Sequence, residues 1–398
     1  MRGRGVRIHL WGGLVYPRLF IMGFLLLSII ILPTGCARKK TSVTHGRITT
    51  CMGDSGHTGY IPLPGLRVAD TVGWQTQGRG SVGACVSVDD DAVYFITRRG
   101  AGALYAVDPG SGATKWTFSE NEVTTDPLIV DDTVYVGTSI GKLYALNRKT
   151  GNVQWHFQTG RSMFTLTCSP ITTTLAISDN IVYFGSLSGY LYAIDVDAQA
   201  QLWKFKTQGS VWSAPAVSGD TVYFGGNEGY LYALNASNGK VRWKFKSTGA
   251  LASSPVLSGR IVVFRSETGS VVALDAETGE LAWRYAAESA ARATPAVVGG
   301  RVFFGDDSGN FFALYVNSGA LKWQIRTPGG NFGTPAVSDG VVYFGSRDRH
   351  VYAVQAETGE LLWQMETGSP VDAIPGIGNH AVFAADDNGV VYAFTENK

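Results

Sequence analysis

The sequence predicts an all-β fold in which eight repeated units form a ring. Three observations predict it: apolar and aromatic residues recur at a steady spacing, each unit holds four short β-type runs, and a tryptophan marks the last run of nearly every unit. Short, evenly spaced strands with a glycine and aromatic signature are typical of a β-propeller. The β-branched alternation excludes a solenoid built from helices.

Each unit is defined by an alanine that is followed ten residues later by a tryptophan. The aromatic or apolar residue of the second strand recurs every 40 residues from Tyr183 to Phe383. The alanines are Ala106, Ala145, Ala193, Ala233, Ala273, Ala313, Ala353 and Ala393, and the tryptophans are Trp116, Trp155, Trp203, Trp243, Trp283, Trp323 and Trp363.

The four strands of a unit follow in a fixed order along the chain. A Pro-x-Val strand comes first, a V-Y-F-G strand second and an L-Y-A-L strand third, and the fourth ends in the tryptophan. Clusters of Gly, Asn and Asp between them indicate hairpin turns. The acidic runs Asp89–Asp91 and Asp386–Asp387 fall at such turns and lack the spacing of a calcium loop.

The two ends of the chain indicate how the ring closes. Ala393 is followed by only five residues, so the eighth unit has no tryptophan strand of its own. Residues 66–78 supply the missing strand, because Trp74 stands twelve residues before Val86, just as Trp203 stands twelve residues before Pro215. An N-terminal strand is therefore expected to complete the C-terminal blade of an eight-bladed propeller that spans residues 66–398.

The stretch 273–283, ALDAETGELAW, resembles the tryptophan-docking motif of pyrroloquinoline quinone (PQQ)-type propeller repeats. The resemblance implies that each tryptophan lies on a peptide of the neighbouring blade, a planar contact that only glycine permits. It also implies that the tryptophans are packing residues and not a ligand-stacking surface. The motif glycines are Gly112, Gly151, Gly239, Gly279, Gly319 and Gly359, with Gln199 in the third unit.

The N-terminus has the features of a secretory signal. Residues 1–18 carry only positive charges, and residues 19–32 form an apolar run that is too short for a typical membrane-spanning helix. The run 32–36, LPTGC, resembles a bacterial lipoprotein box, which implies lipidation of Cys36, although Pro33 stands where leucine is usual. A signal peptide over 1–35 that is cleaved without lipidation is the alternative.

Residues 36–65 are rich in Gly, Ser, Thr and Pro, which predicts a lipid-anchored flexible tether spanning about 30 Å. The protein is then an extracytoplasmic membrane-anchored lipoprotein, on the periplasmic face of an outer membrane or, in a cell without one, on the outer face of the cytoplasmic membrane. Gly53–Gly56 resembles the nucleophile segment of serine proteases but lies outside any protease fold. A disulfide such as Cys51–Cys85 is compatible with the sequence, and Cys168 leaves the pairing open.

Charge and cysteine content exclude several function classes. The formal charge is +1, and without the four arginines that precede Cys36 it is 29 − 32 = −3, so no broad basic surface is available for nucleic acid. No CxxC or CxxCH spacing occurs, which argues against zinc and attached haem.

Two kinds of protein carry PQQ-type propellers. The quinoprotein dehydrogenases bind PQQ with calcium, usually beside two adjacent cysteines, and this chain has no such pair and no room for inserted active-site loops in its steady repeat. The short, lipidated members of the BamB type are more similar. The resemblance implies a non-catalytic scaffold, monomeric outside its complex, for a protein partner in the cell envelope. No catalytic residue, metal or cofactor is expected; a PQQ-dependent dehydrogenase and a ligand-sensing propeller are the alternatives.

Candidate binding residues are those that depart from the repeat on one face of the ring, where the loops before the first strand and between the second and third strands lie. Such a mixture of aromatic and charged groups suits a peptide or an anionic ligand. A solvated loop face is the alternative. The residues are Trp212, Arg292, Phe332 and Asp372, three positions before repeat prolines, together with Arg98, Arg99, Arg347, Asp348, Arg349, His350, Asp386 and Asp387.

The third unit is eight residues longer than the others, with the extra length in residues 161–179. An insertion that presents Met163, Phe164 and Leu166 is a candidate protein-binding loop. A longer first strand that packs against its neighbours is the alternative.

Overall fold

Thirty-three β-strands, and no helix, make up the part of the chain that the computed structural model describes. The described residues are 48–49, 52–98, 102–160, 168–251, 253–287, 289, 293–330, 333–378 and 380–397. All of them fall in one compact unit, Val43–Lys398. Among them there is no long apolar helix of the kind that crosses a membrane.

The strands form eight antiparallel sheets, which confirms the predicted eight-bladed propeller. The strands of blades 1 to 4 are β3 (Ser81–Val88), β4 (Val93–Arg98), β5 (Leu104–Val107) and β6 (Thr114–Phe118); β7 (Leu128–Val130), β8 (Thr133–Gly137), β9 (Lys142–Asn147) and β10 (Val153–Gln158); β11 (Ala176–Ser178), β12 (Ile181–Gly185), β13 (Tyr190–Asp195) and β14 (Ala200–Lys206); β15 (Ala216–Ser218), β16 (Thr221–Gly225), β17 (Tyr230–Asn235) and β18 (Val241–Lys246).

Blades 5 to 8 repeat the same order, and two strands precede the first blade in the chain. The strands are β19 (Val256–Ser258), β20 (Ile261–Arg265), β21 (Val271–Asp275) and β22 (Leu281–Tyr285); β23 (Ala296–Val298), β24 (Arg301–Gly305), β25 (Asn310–Tyr315) and β26 (Leu321–Arg326); β27 (Ala336–Ser338), β28 (Val341–Ser346), β29 (His350–Gln355) and β30 (Leu361–Glu366); β31 (Gly376–Gly378), β32 (Ala381–Ala385) and β33 (Val390–Thr395); and, before them, β1 (Ile48–Thr49) and β2 (Thr71–Gln77).

Burial explains why the strands differ in composition. The second strand of blade 4, Thr221–Gly225, is buried along its whole length and is apolar or small throughout. The fourth strand, Val241–Lys246, alternates between exposed and partly buried residues because one side faces solvent. Ala233 pairs with Trp243 across these strands, and the small methyl group leaves room for the indole ring.

The N-terminal strand closes the ring as predicted. Strand β2 pairs antiparallel with β33, and Trp74 stands opposite Ala393 at the position that a tryptophan occupies in the other blades. The indole Nε1 of Trp74 donates to the carbonyl of Pro109 in blade 1 at 2.9 Å. The first and last blades are therefore joined by the same contact that Trp116 makes between blades 1 and 2.

The tryptophan contacts implied by the resemblance are present. The Nε1 of Trp243 donates to the carbonyl of Ala276 in the next blade at 3.0 Å. Gly279 has a φ of +75°, and a Cβ placed on it would lie 2.6 Å from Cδ2 of Trp243. Gln199 adopts the same left-handed region with a φ of 53°, so the third unit keeps the backbone turn without the glycine.

The prediction of a flexible tether over residues 36–65 is wrong for its described part. Residues 52–66, called the channel segment below, lie against the first strands of the blades, which face the centre of the ring. The amide of Val217 donates to the carbonyl of Ser55 at 2.8 Å, and the amide of Ile61 donates to Val337 at 2.9 Å. The physical reason is that inner edge strands carry unpaired N–H and C=O groups, which a passing backbone satisfies.

Candidate functional site

The turns between second and third strands and the connections between blades share one face of the ring, called the upper face below. Of the residues predicted there, nine are described: Trp212, Asp372, Arg98, Arg347, Asp348, Arg349, His350, Asp386 and Asp387. Outside the described residues are Arg99, Arg292 and Phe332 of that face, Met163, Phe164 and Leu166 of the predicted loop, the proposed lipidation residue Cys36, and Cys51. Cys85 is buried and forms no disulfide with another described cysteine.

A cavity of about 210 Å³ opens on the upper face where blades 8 and 1 meet, and it is called the seam cavity below. Its charged lining consists of Arg98, Asp372, Asp386 and Asp387, and small groups such as Gly83 complete the wall. The structure thus brings together several residues that the sequence placed on this face.

Arg347 and Asp372 form a two-point ion pair beside the cavity. The Nη2 of Arg347 lies 2.9 Å from Oδ2 of Asp372, and its Nε lies 3.3 Å from Oδ1. The hydrogen bond to Asp372 raises the pKa of Arg347 further above its ordinary value. Such fork geometry fixes both side chains at the rim and neutralises one of the three lining carboxylates.

Asp386 has a structural role in the wall. Its Oδ1 accepts hydrogen bonds from the backbone amides of Asn388 and Val390 at 3.1 and 2.9 Å, and Tyr392 donates to Oδ2 at 3.0 Å. The carboxylate is therefore fully engaged in holding the β32–β33 hairpin. This confirms that the acidic run is a turn.

Asp126 lies behind the cavity and was missed by sequence reasoning. The side chain is 3% exposed, and its Oδ1 has no hydrogen-bond partner. A Cβ placed on Gly83 would lie 3.4 Å from that oxygen. Burial raises the pKa of Asp126, and the nearby Arg98 guanidinium opposes the shift. The available signal was a carboxylate where other units have Thr174, Ser254 or Thr294.

Neighbouring groups partly neutralise the charge of the seam cavity. Three carboxylates and the Arg98 guanidinium line it, and Arg347 pairs with Asp372 at the rim. Burial raises the pKa of Asp126 behind the wall, which favours its neutral form. With Arg98 and Arg347 both counted, carboxylates exceed guanidinium groups by one.

Arg349 and His350 do not reach the seam cavity, because they belong to the hairpin of blade 7. The Nδ1 of His350 lies 3.1 Å from the carbonyl oxygen of Asp348, and Arg349 faces Glu366 across 3.6 Å. Tyr352 donates to Asp348 at 2.8 Å. These residues therefore form a local polar network on the blade and are not part of a common pocket.

Trp212 is exposed on a different part of the upper face. Its side chain is 63% exposed, and it precedes the first strand of blade 4. Two other large apolar residues, Ile140 and Leu187, are exposed at the turns between the second and third strands of blades 2 and 3, on the same face. These three residues are called the Trp212 surface below. The predicted face thus divides into two regions, the seam cavity and the Trp212 surface.

A second feature missed from the sequence is a charged contact between blades 1 and 2. Arg148 binds Asp89 at 3.1 Å and Asp91 at 2.8 Å, and Tyr94 donates to Asp89 at 3.2 Å. Asp89 also accepts the amides of Asp91 and Ala92 at 2.8 Å each, which confirms the turn. Arg148 belongs to no sequence motif, so the sequence drew attention only to its acidic partners.

Two features of the described residues bear on metal and cofactor binding. Among them, no group of three or more His, Cys, Asp or Glu side chains is arranged to hold a metal ion. The seam cavity of about 210 Å³ is smaller than the roughly 300–1,000 Å³ of pockets that enclose ligands of drug size.

Comparison with solved structures gives the same fold in proteins of different kinds. BamB from Moraxella catarrhalis is 19% identical, with a TM-score of 0.65 over 82% of this chain and 99% of its own. The europium-containing methanol dehydrogenase is 14% identical, with a TM-score of 0.73 over 87% of this chain and 97% of its own. The computationally designed protein Ika8 is 19% identical, with a TM-score of 0.70 over 80% and 98%.

No protein of curated function matches the sequence. A family model described as "Outer membrane protein assembly factor BamB" matches residues 67–203, 187–335 and 326–398, which together cover the whole ring. The matched ranges contain the repeats of all eight blades and the tryptophans at their junctions. The chain therefore belongs to the BamB family of PQQ-type propellers.

Proposed function

We propose that this protein is an extracytoplasmic, lipid-anchored scaffold that holds a protein partner against the Trp212 surface. The observation that carries the proposal is the exposure of Trp212, which is 63%. Tryptophan is enriched among the residues that dominate binding energy at protein interfaces. The exposed indole, with the exposed Ile140 and Leu187 on the same face, supplies apolar contact area for a partner.

The loop that carries Trp212 is held in place before any partner binds. Val211 forms an antiparallel bridge with Gly226, and the Oγ of Ser210 donates to the carbonyl of Leu187 at 2.7 Å. The amide of Asn227 donates in turn to Ser210 at 2.9 Å. A preorganised loop backbone loses little conformational entropy on binding, which favours affinity.

The family indicates the class of partner. Its description names an outer membrane protein assembly factor, and BamB of Moraxella catarrhalis shares the fold. The partner proposed here is accordingly a protein of the cell envelope, and the lipid on Cys36 would keep the ring at the membrane. Labelling with a radioactive fatty acid tests the anchor: the full chain should be labelled, and Cys36→Ser should not.

The scaffold proposal is tested by affinity purification of the full-length protein from its own membranes, with mass spectrometry of the proteins that bind. Trp212→Ala should reduce recovery of the partner at least tenfold. Tyr315→Ala is the matched control, because Tyr315 is also an exposed aromatic residue and lies outside the Trp212 surface. Equal recovery with both variants would contradict the proposal.

A second candidate function, ligand sensing, is favoured by the seam cavity. Its excess of carboxylates suits a small compound with a positive charge. Mass spectrometry of small molecules released from the purified protein distinguishes this function from the others: an amine or guanidine supports sensing, and stoichiometric PQQ with calcium supports a dehydrogenase.

A further inference from the structure

The channel segment is bound through regularly spaced backbone donors. The first strands of blades 4 to 7 each direct the amide of their middle residue to the centre of the ring, and each amide donates to a carbonyl of the segment. The four pairs are Val217 to Ser55 at 2.8 Å, Leu257 to Gly56 at 3.0 Å, Val297 to Thr58 at 2.7 Å and Val337 to Gly59 at 2.8 Å. Because these bonds involve only backbone atoms, they do not require particular side chains in the segment.

Glycines set how closely the segment approaches the ring. Gly53, Gly56 and Gly59 are three residues apart, and Gly59 has a φ of +75°. A Cβ on Gly59 would lie 2.6 Å from Cβ of Ala296, closer than side chains tolerate. A peptide bound in this way therefore needs glycine at the position that faces Ala296.

His57 opposes the binding of the segment. Its side chain is 1% exposed, and neither ring nitrogen has a hydrogen-bond partner. Burial without a partner lowers the pKa of His57 to about 4. A buried polar group without hydrogen bonds destabilises the state that buries it. Residues 55–59 are thus held by four backbone bonds and weakened by one side chain, while the rest of the segment makes further bonds, among them that of the Ile61 amide to Val337 and those of Tyr343 and Trp363 to the carbonyl of Leu66.

We propose that the inner edges of blades 4 to 7 form a binding site for a glycine-containing peptide that turns as it crosses the blades, and that residues 55–59 occupy this site in the free protein. A segment of the partner with glycine at the matching position binds the same four amides once the chain's own segment leaves. This inference rests on the proposed function only in taking the partner to be a protein. It identifies hydrogen bonding to one backbone amide from each of four successive blades as the mode of recognition.

A full-length Gly59→Val variant tests the site, because the added side chain collides with Ala296 and expels the segment. The probe is a fluorescent synthetic peptide with the sequence of residues 53–61, GDSGHTGYI. The variant should bind it at least tenfold more tightly than the wild type, whose own segment competes. A peptide with valine at the positions of Gly56 and Gly59 is the control and should not bind. Equal binding by wild type and variant, or no binding by a folded variant, would overturn the proposal.

Hydrogen exchange on the wild-type chain tests the same idea without a variant. Displacement of the segment exposes the amides of Val217, Leu257, Val297 and Val337 together, so they should exchange at least tenfold faster than the second-strand amides of the same blades. Equal protection would mean that the segment leaves only on unfolding and would refute the proposal. Neither experiment involves Trp212, so the scaffold proposal stands or fails separately.

Discussion

At two junctions between blades, the equivalent tryptophans of the repeat make different contacts. Between blades 4 and 5, the carbonyl of Ala276 accepts hydrogen bonds from both Trp243 and Tyr223, each at 3.0 Å, and the indole covers Gly279. Between blades 2 and 3, Gln199 stands in the place of the glycine. Among the contacts of the described residues there, neither Trp155 nor Tyr135 donates to the corresponding carbonyl.

The difference shows that the glycine does more than permit a turn. Both junctions have the left-handed backbone, with φ values of +75° at Gly279 and 53° at Gln199. Only the glycine leaves the peptide open for the indole to lie on it, with its Nε1 in reach of the next carbonyl. The junction between blades 2 and 3 is therefore expected to be the weaker one, and it adjoins the long third unit.

The largest effect is expected when the strong junction is given a side chain. Gly279→Ala places a methyl group against Trp243 at a positive φ and should lower the free energy of unfolding by about 3 kcal/mol. Gly259→Ala is the control, because Gly259 has a φ of +57° and open space around it, and it should cost about 1 kcal/mol. Denaturant titration measures both. Equal losses would show that the indole contact contributes nothing.

Removing the indole N–H should affect the two junctions unequally. Trp243→Phe leaves the carbonyl of Ala276 with one donor fewer and should cost about 1.5 kcal/mol more than Trp155→Phe. The comparison uses the same substitution in both blades, so the lost ring area cancels. Thermal melting of the two variants side by side gives the difference, and identical melting temperatures would refute the assignment of the hydrogen bond.

Restoring the motif at the weak junction should stabilise the protein. Gln199→Gly relieves a left-handed conformation that costs a residue with a Cβ about 1 kcal/mol, so the free energy of unfolding should rise by about that amount. The control is Asp179→Gly, which relieves a φ of 49° in the same blade at a turn between its first two strands. A larger gain at Gln199 than at Asp179 is the expected sign of a recovered tryptophan contact.

Acid acts on the channel segment, outside both junctions. The pKa of His57 is lowered to about 4 in the folded protein from 6.5, so folding favours the neutral ring. The contribution of His57 to the free energy of unfolding is fully present above pH 6.5 and is lost as the pH falls toward 4. From pH 7 to 5.5 the loss should be about 1 kcal/mol. His57→Leu should remove this part of the dependence in denaturant titrations, and an unchanged pH slope would contradict it.

The parts of the fold that were predictable are those encoded many times. The alanine, glycine and tryptophan of each junction recur from unit to unit, and this repetition also revealed that Trp74 replaces the missing strand of blade 8. The position of each strand follows from the same repetition.

The channel segment and the site were harder to predict, for a physical reason. Backbone carbonyls of the segment accept the four hydrogen bonds from blades 4 to 7. Glycine spacing is therefore the one feature of its sequence that indicates these bonds. Its composition is typical of a loop, and this composition led to the prediction of a flexible tether. Likewise, Asp126 and Arg148 are single residues whose partners come from distant parts of the chain, and no local pattern marks them.

The closing strand also fixes the order in which the protein is completed. The amide of Asn397 donates to Asp70 across 327 residues of sequence, and β2 finds its partner only in the last strand of the chain. A chain is made from its N-terminus, so residues 71–77 have no partner until the C-terminus is free. Closure of the ring is thus a late, long-range step, and such steps are slow because the intervening chain must first be arranged. The interval leaves an exposed strand edge, and it is during this interval that the protein is most exposed to aggregation.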